Sequence, residues 1–155
     1  MKTEKAAPAL DELPGHYIRR LHQIAVAIFL QETEAHGLTP VQYAALSQVG
    51  LTPGVDQRTL AGSIGLDPST TAGVIDRLEA RGLMQRQASP EDRRVRLLSL
   101  THDGQRLLQA VQPDILKAQQ RILKPLPAAE RDAFMRMLRK LVAANNELSR
   151  APSGF

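Results

Sequence analysis

Arg77, Arg81, Arg86, Arg93, Arg94 and Arg96 crowd one stretch of the chain, with Asp92 among them. A surface cluster of guanidinium groups displaces condensed counterions from a phosphate backbone, so this spacing suits a polyanion. Just ahead of the cluster, Ser69 and Thr70 offer short hydroxyl side chains that can approach a phosphate or the edge of a base. Taken alone, such a run is equally a solvated surface. What gives it direction is the order of elements that must hold it.

The segment Gly65 to Pro68 reads "GLDP". Gly65 can take the left-handed conformation that ends a helix, Asp67 can cap the next one, and Pro68 suits its first position. The helix that starts at Pro68 is expected to reach Arg81 and stop at Gly82. Helical spacing places Thr71, Val74, Ile75 and Leu78 inside, with Ser69, Thr70, Gly73 and Arg77 outside. Leu83 to Ala88 and Val95 to Leu100 then read as short strands around the turn-rich "SPEDRR" of Ser89 to Arg94. Helix, tight turn, helix and basic hairpin closing in "LTHDG" (Leu100 to Gly104) make a winged helix-turn-helix with double-stranded DNA as the expected partner.

The flanks are helical. A first helix from about Leu13 to Ala35 carries one apolar stripe of Tyr17, Leu21, Ile24 and Ile28 and a second of Ile18, Ala25 and Phe29. A helix apolar on two sides needs two partners, and a second copy of the chain is the economical source of one. Leu38 to Gly50 has Thr39 and Gln42 at capping-box spacing and Pro40 in the first turn. After the hairpin, a helix from about His102, bent or broken at Pro113, is expected to reach Leu123. Another follows "KPLP" and carries Phe134, Leu138, Leu141 and Val142. The expected organisation is dimerisation and linking helices in residues 1–51, the winged helix-turn-helix in 52–101 and further dimerisation helices in 102–155.

The 155 residues suffice for one core, or two intimately joined ones. There are 20 Lys plus Arg against 16 Asp plus Glu, a net charge of +4, which fits DNA binding without establishing it. The absence of cysteine excludes disulfides, thiolate metal sites and thiol-based peroxide sensing. The run Ile24 to Leu30 is too short to span a bilayer, and the charged, proline-interrupted amino terminus has no secretory h-region, so a cytoplasmic location is expected.

These segments resemble the MarR family of bacterial transcription regulators over nearly the whole chain. The resemblance is carried by "LTPVQYAAL" (Leu38 to Leu46), "TLAGSIGLDPSTTAGVIDRLEARGLMQR" (Thr59 to Arg86), "SPEDRRVRLLSLTHDGQRLL" (Ser89 to Leu108) and the terminal leucine-rich helix. It implies a mainly α fold with a small β-hairpin wing, and a homodimer built by intertwined terminal helices. It also implies a repressor released from a palindromic operator by a small aromatic acid or its coenzyme A thioester. The alternative is a broader stress, drug-resistance or virulence regulator whose physiological ligand is weak or absent. The family's wing motif falls on Asp92, orienting the tip, and Arg94. Ser69, Thr70, Arg77, Arg93 and Arg94 are the implied DNA contacts. One departure is Gly73, where many members carry a long side chain. The effector is expected at the joint between dimer and DNA parts, near His16, Arg20, His22 and Tyr43, where guanidinium can grip a carboxylate and tyrosine or histidine can orient a phenol.

Other chemistries lack their parts. His16 and His22 lie six apart on different sides of a helix, and His36 and His102 belong to other segments, so no metal is expected. There is no phosphate-binding glycine loop, nucleophile elbow or metal-hydrolase signature, which points to a chain that is not an enzyme and needs no cofactor. A winged helix used only for protein contacts would lack a basic wing; Arg93, Arg94 and Arg96 argue against it.

Overall fold

The computed structural model describes residues 7–149; the outer ends of the first and third expected segments, residues 1–6 and 150–155, lie outside them. In chain order the elements are α1 (Pro14–Glu32), α2 (Pro40–Leu51), β1 (Val55–Asp56), α3 (Gln57–Ile64), α4 (Pro68–Ala80), β2 (Met84–Ala88), β3 (Arg96–Leu100), α5 (His102–Leu123) and α6 (Ala128–Ala144). Short 3-10 turns occupy Leu10–Glu12, Glu34–His36 and Asn146–Leu148.

Local chemistry sets most boundaries. Pro14 opens α1 and Pro40 opens α2, where the missing amide donors would lack helical partners anyway. Thr39 Oγ1 accepts from the Gln42 N–H at 3.2 Å while Gln42 Oε1 accepts from the Thr39 N–H at 3.2 Å, completing the capping box. Asp56 and Asp67 cap α3 and α4, and Gly65 takes the left-handed conformation (φ 70°) between them. The first helix stops at Glu32, short of the expected Ala35, and the chain tightens into the 3-10 turn before Gly37. α5 runs unbroken through Pro113, so of the expected bend or break the break does not occur. Its packing along α1 holds it helical where proline removes one backbone donor.

β3 is the central strand of a three-stranded antiparallel sheet, with β2 on one side and β1 on the other. Leu98, fully buried, faces both Arg86 on β2 and Val55 on β1. β1 was not expected, because a two-residue strand has too little pattern to announce itself. Val95 lies outside β3, one residue short of the expected start.

The core joins α1 to α5 with the sheet, and α6 lies outside it. Phe29 of α1, Leu46 of α2, Leu60 of α3, Ile75 and Leu78 of α4, Met84 and Leu98 of the sheet, and Val111 and Ile115 of α5 form one buried cluster. α4 buries the face expected of it: Thr71, Val74, Ile75 and Leu78. The joint between wing and α5 is tight. Thr101 Oγ1 donates to the Gly82 carbonyl at 2.6 Å and accepts from the Gly104 N–H at 3.0 Å. The Leu83 carbonyl occupies the space a Cβ on Gly104 would need, so the closing "LT..G" pattern is a packing requirement.

Two helical faces are left bare. On α1, Tyr17, Ile18, Leu21 and Ile24 are exposed and only Phe29 is buried. Among the described residues α6 buries none, and its Met137, Leu141 and Val142 are each more than half exposed. An apolar area of this extent on two neighbouring elements calls for another surface.

Candidate nucleic-acid interface

The start of α4 and the wing share one side of the molecule, and the side chains there divide into held and available. Thr70 is held. Its N–H donates to Asp67 Oδ1 at 2.9 Å and its hydroxyl donates to Asp67 Oδ2 at 2.7 Å, leaving the hydroxyl oxygen an acceptor only. Ser69 and Arg77 are exposed in the first and third turns of the same helix, with Gly73 between them carrying no side chain. A helix whose outer face is small at its centre can lie close to a groove floor while its ends make the polar contacts.

The wing tip is built by Asp92. Its carboxylate accepts from the Arg94 backbone N–H, Nε and Nη2, while Val95 N–H donates to the Asp92 carbonyl at 2.9 Å to close the turn. The Arg94 hydrogen bonds, side chain first and then backbone, hold the Asp92 carboxyl below its ordinary range, so it is ionised at neutral pH. Arg94 itself remains 91 % exposed at its side chain.

A groove of about 460 Å³ runs between the wing and the helix-turn-helix, lined by Gln57, Arg58, Pro68, Arg94 and Arg96 along with Asp56 and Val95. Among the described residues, Arg58, Arg77, Arg93 and Arg96 have no carboxylate within ion-pair distance, so their charge is unneutralised. Asp56 places one ionised carboxylate in the same groove, held as the α3 cap by the Thr59 hydroxyl and backbone N–H, which lower its pKa, and it forms no ion pair with these arginines. Arg58 escaped the sequence reading. Its signal was its place just inside α3, behind a capping aspartate, where the positive helix end adds to the charge.

Two arginines of the sequence cluster are engaged elsewhere. Arg86 Nη2 lies 2.6 Å from Asp76 Oδ1 and 3.2 Å from Glu79 Oε1, bracing β2 against α4; Glu79, then Asp76, raise its pKa against the opposing effect of burial. Arg81 donates to the backbone carbonyls of Gly37 and His36. The available cluster is therefore smaller and more sharply placed than the sequence implies.

The four expected effector residues are dispersed within one chain. His16 is half-buried beside Arg19 and the edge of the Tyr17 ring, whereas Arg20 and His22 are exposed on α1. Tyr43 is half-buried against the core, its ring centroid 6.1 Å from that of Phe29. A cleft of about 620 Å³ lies instead between Ile18 of α1, Ile64 and Gly65 at the end of α3, and Leu138, Leu141 and Val142 of α6. Among the described residues, no group of three or more His, Asp or Glu side chains is placed to hold a metal, and no helix is long and apolar enough to cross a membrane.

The model of the MarR family matches residues 38–95, the span from the start of α2 to the wing tip. The chain is 32 % identical over 148 residues to the HTH-type transcriptional repressor NicR of Pseudomonas putida, covering 91 % of this chain and 94 % of that one. It belongs to the MarR family. Among solved structures of the family's members, it resembles Bordetella bronchiseptica BpsR, whose DNA binding is regulated by 6-hydroxynicotinic acid, at 33 % identity and a TM-score of 0.83. That match covers 88 % of this chain and 97 % of the other. The repressor CouR of Rhodococcus jostii RHA1, solved on a 23-mer DNA duplex, is similar at 30 % identity and a TM-score of 0.82, covering 90 % and 99 % of the two chains. The mainly α winged helix-turn-helix fold is thus that of a transcription regulator family.

Proposed function

We propose that this MarR-family chain is a homodimeric, cytoplasmic and non-enzymatic repressor that binds a palindromic operator and leaves it when a small aromatic acid or its coenzyme A thioester binds. The observation that carries the reading is the unneutralised set Arg58, Arg77, Arg93 and Arg96 flanking the exposed start of α4, with Arg94 braced beside them. Ser69, Thr70 and Arg77 face the major groove, and Arg93 and Arg94 reach backbone or minor groove, with Asp92 orienting the tip. The bare faces of α1 and α6 pair with those of a second copy, setting two α4 helices about one DNA turn apart.

The effector class is supported by relatives: BpsR is regulated by an aromatic acid, and CouR has been solved with p-coumaroyl-CoA. Arg20, exposed and without an ion-pair partner among the described residues, supplies charge for a carboxylate; His16, His22 and Tyr43 complete the site in the dimer, where the exposed face of α1 is covered. Residues 1–51 and 102–155 serve the dimer, and 52–101 the DNA. Binding of the effector and of the operator must oppose each other reciprocally if they prefer different dimer spacings.

The test is a titration of labelled palindromic duplex with the full chain across salt concentrations, repeated with aromatic acids and their thioesters. A steep inverse salt dependence and release by one such compound are expected, with release weakened in Arg20→Ala. A salt-independent complex rejects the operator reading; indifference to every such compound rejects the effector class.

A further inference from the structure

We propose that Arg81, His36 and Asp114 form a linkage that fixes the angle of α4 against α5, and thereby the half-site spacing the protein accepts. The inference rests on the operator-binding reading and names residues that set its register.

Arg81 follows the last residue of α4 and reaches across to the turn between α1 and α2. Its Nη1 donates to the Gly37 carbonyl at 2.9 Å and its Nη2 to the His36 carbonyl at 3.1 Å. Two consecutive carbonyls can converge on one guanidinium because the chain passes there from a 3-10 turn into left-handed Gly37 (φ 61°). His36 sends its ring the other way, placing Nε2 2.9 Å from Asp114 Oδ2 on α5. The side chains of this pair are only 18 % and 31 % exposed, so water competes weakly.

The same edge of α5 is tied to the end of α1. Arg121 Nη1 lies 2.6 Å from Glu32 Oε1, and Lys117 Nζ lies 3.9 Å from Glu32 Oε2. Asp114, Lys117 and Arg121 are spaced three and four apart and form one stripe. The end of α1, the turn and α5 are therefore one braced body, and Arg81 ties the far end of α4 to it beside the bond from Thr101 to the Gly82 carbonyl. Apolar packing of Val74, Ile75 and Leu78 sets the broad seat of α4, within a spread of crossing angles. The guanidinium bonds are directional, and they hold α4 at one angle within that seat.

The experiment uses full-length protein and an operator selected from random duplexes by the wild type, then remade with the spacer one base pair longer or shorter. Wild type is expected to prefer one spacing. Arg81→Ala and Asp114→Ala should each reduce that preference by at least about threefold, an effect within the range of a charged hydrogen bond. Their double variant should lose less than the product of the two. Asp114→Asn, whose amide oxygen still accepts from His36, should retain the preference, and the salt slope should not change. An unchanged spacing preference in both alanine variants overturns the linkage. So does a uniform loss on all three spacers with a salt slope smaller by about one, which makes Arg81 a phosphate contact. If Asp114→Ala is poorly folded, the exposed Arg81→Ala decides alone. Failure of the wild type to select any palindrome instead defeats the operator reading.

Discussion

Asp92 grips Arg94 through its carboxylate, accepting the backbone N–H at 3.0 Å, Nε at 3.1 Å and Nη2 at 3.1 Å. The aspartate makes the arginine's direction a property of the turn, so less side-chain freedom remains to be lost when the wing meets DNA. Arg94→Ala should cost about 1–3 kcal/mol of operator binding with the dimer intact, by analogy with other specific DNA contacts. Asp92→Ala separates charge from order: it adds net positive charge, yet specific affinity should fall while binding to unrelated duplex holds or strengthens. Equal strengthening on both duplexes would show that direction is irrelevant.

The same pair sets a pH dependence. Arg94 depresses the Asp92 pKa, so the order it provides is fully present above the ordinary carboxylate range and is lost only as pH falls through the lowered value. The contribution of the wing to operator affinity, measured as the ratio of wild type to Asp92→Ala, should therefore be flat across neutral and mildly acidic pH. A ratio that titrates near neutrality would assign the effect to another group.

Gly73 and Gly104 are both helical glycines and should respond oppositely to alanine. A Cβ at Gly73 meets nothing within 4 Å, so Gly73→Ala should stabilise the fold by about 0.5–1 kcal/mol through helix propensity. At Gly104 the Leu83 carbonyl fills the space, and Gly104→Ala should cost about 3 kcal/mol despite the same gain in propensity. Denaturant midpoints measure both. Loss of operator affinity in a stabilised Gly73→Ala protein would further locate α4 close to the groove floor.

Leu141, on the bare face of α6, is more than half exposed in one chain. Leu141→Asp should leave the secondary structure unchanged, since no buried contact is lost, but shift sedimentation from dimer toward monomer and abolish binding to a full palindrome at equal concentration. A dimer that survives the charge would place the subunit contact elsewhere.

The helix-turn-helix is legible in the sequence because its signals are local: Gly65 supplies the left-handed residue, Asp67 the cap and Pro68 the first turn. The buried stripe of α4 is legible for the same reason, being a matter of period. What could not be read is long-range partnership. Arg81, Arg86 and Arg93 are alike in sequence, yet the first binds carbonyls of a turn more than forty residues away, the second two carboxylates, and the third neither. β1 was missed because its two residues become a strand only by lying against Leu97 and Leu98. Pro113 left open a bend or a break because proline's helix-breaking cost is local, whereas the packing that keeps α5 continuous comes from α1. The proposed effector residues have no local signal of the kind that marks a cap or a turn: His16, Arg20 and His22 lie on α1 and Tyr43 on α2.

Only Thr101 separates β3 from α5, and its hydroxyl is fastened at both ends. The joint therefore has no tolerance for length change. One extra residue in the first turn of α5 would rotate everything behind it by about 100°, carrying Val111, Ile115 and Ala118 off the core. The tip between β2 and β3 is closed by its own bonds and lies off the core, so a length change there would disturb Asp92 and Arg94 but leave the buried cluster in place.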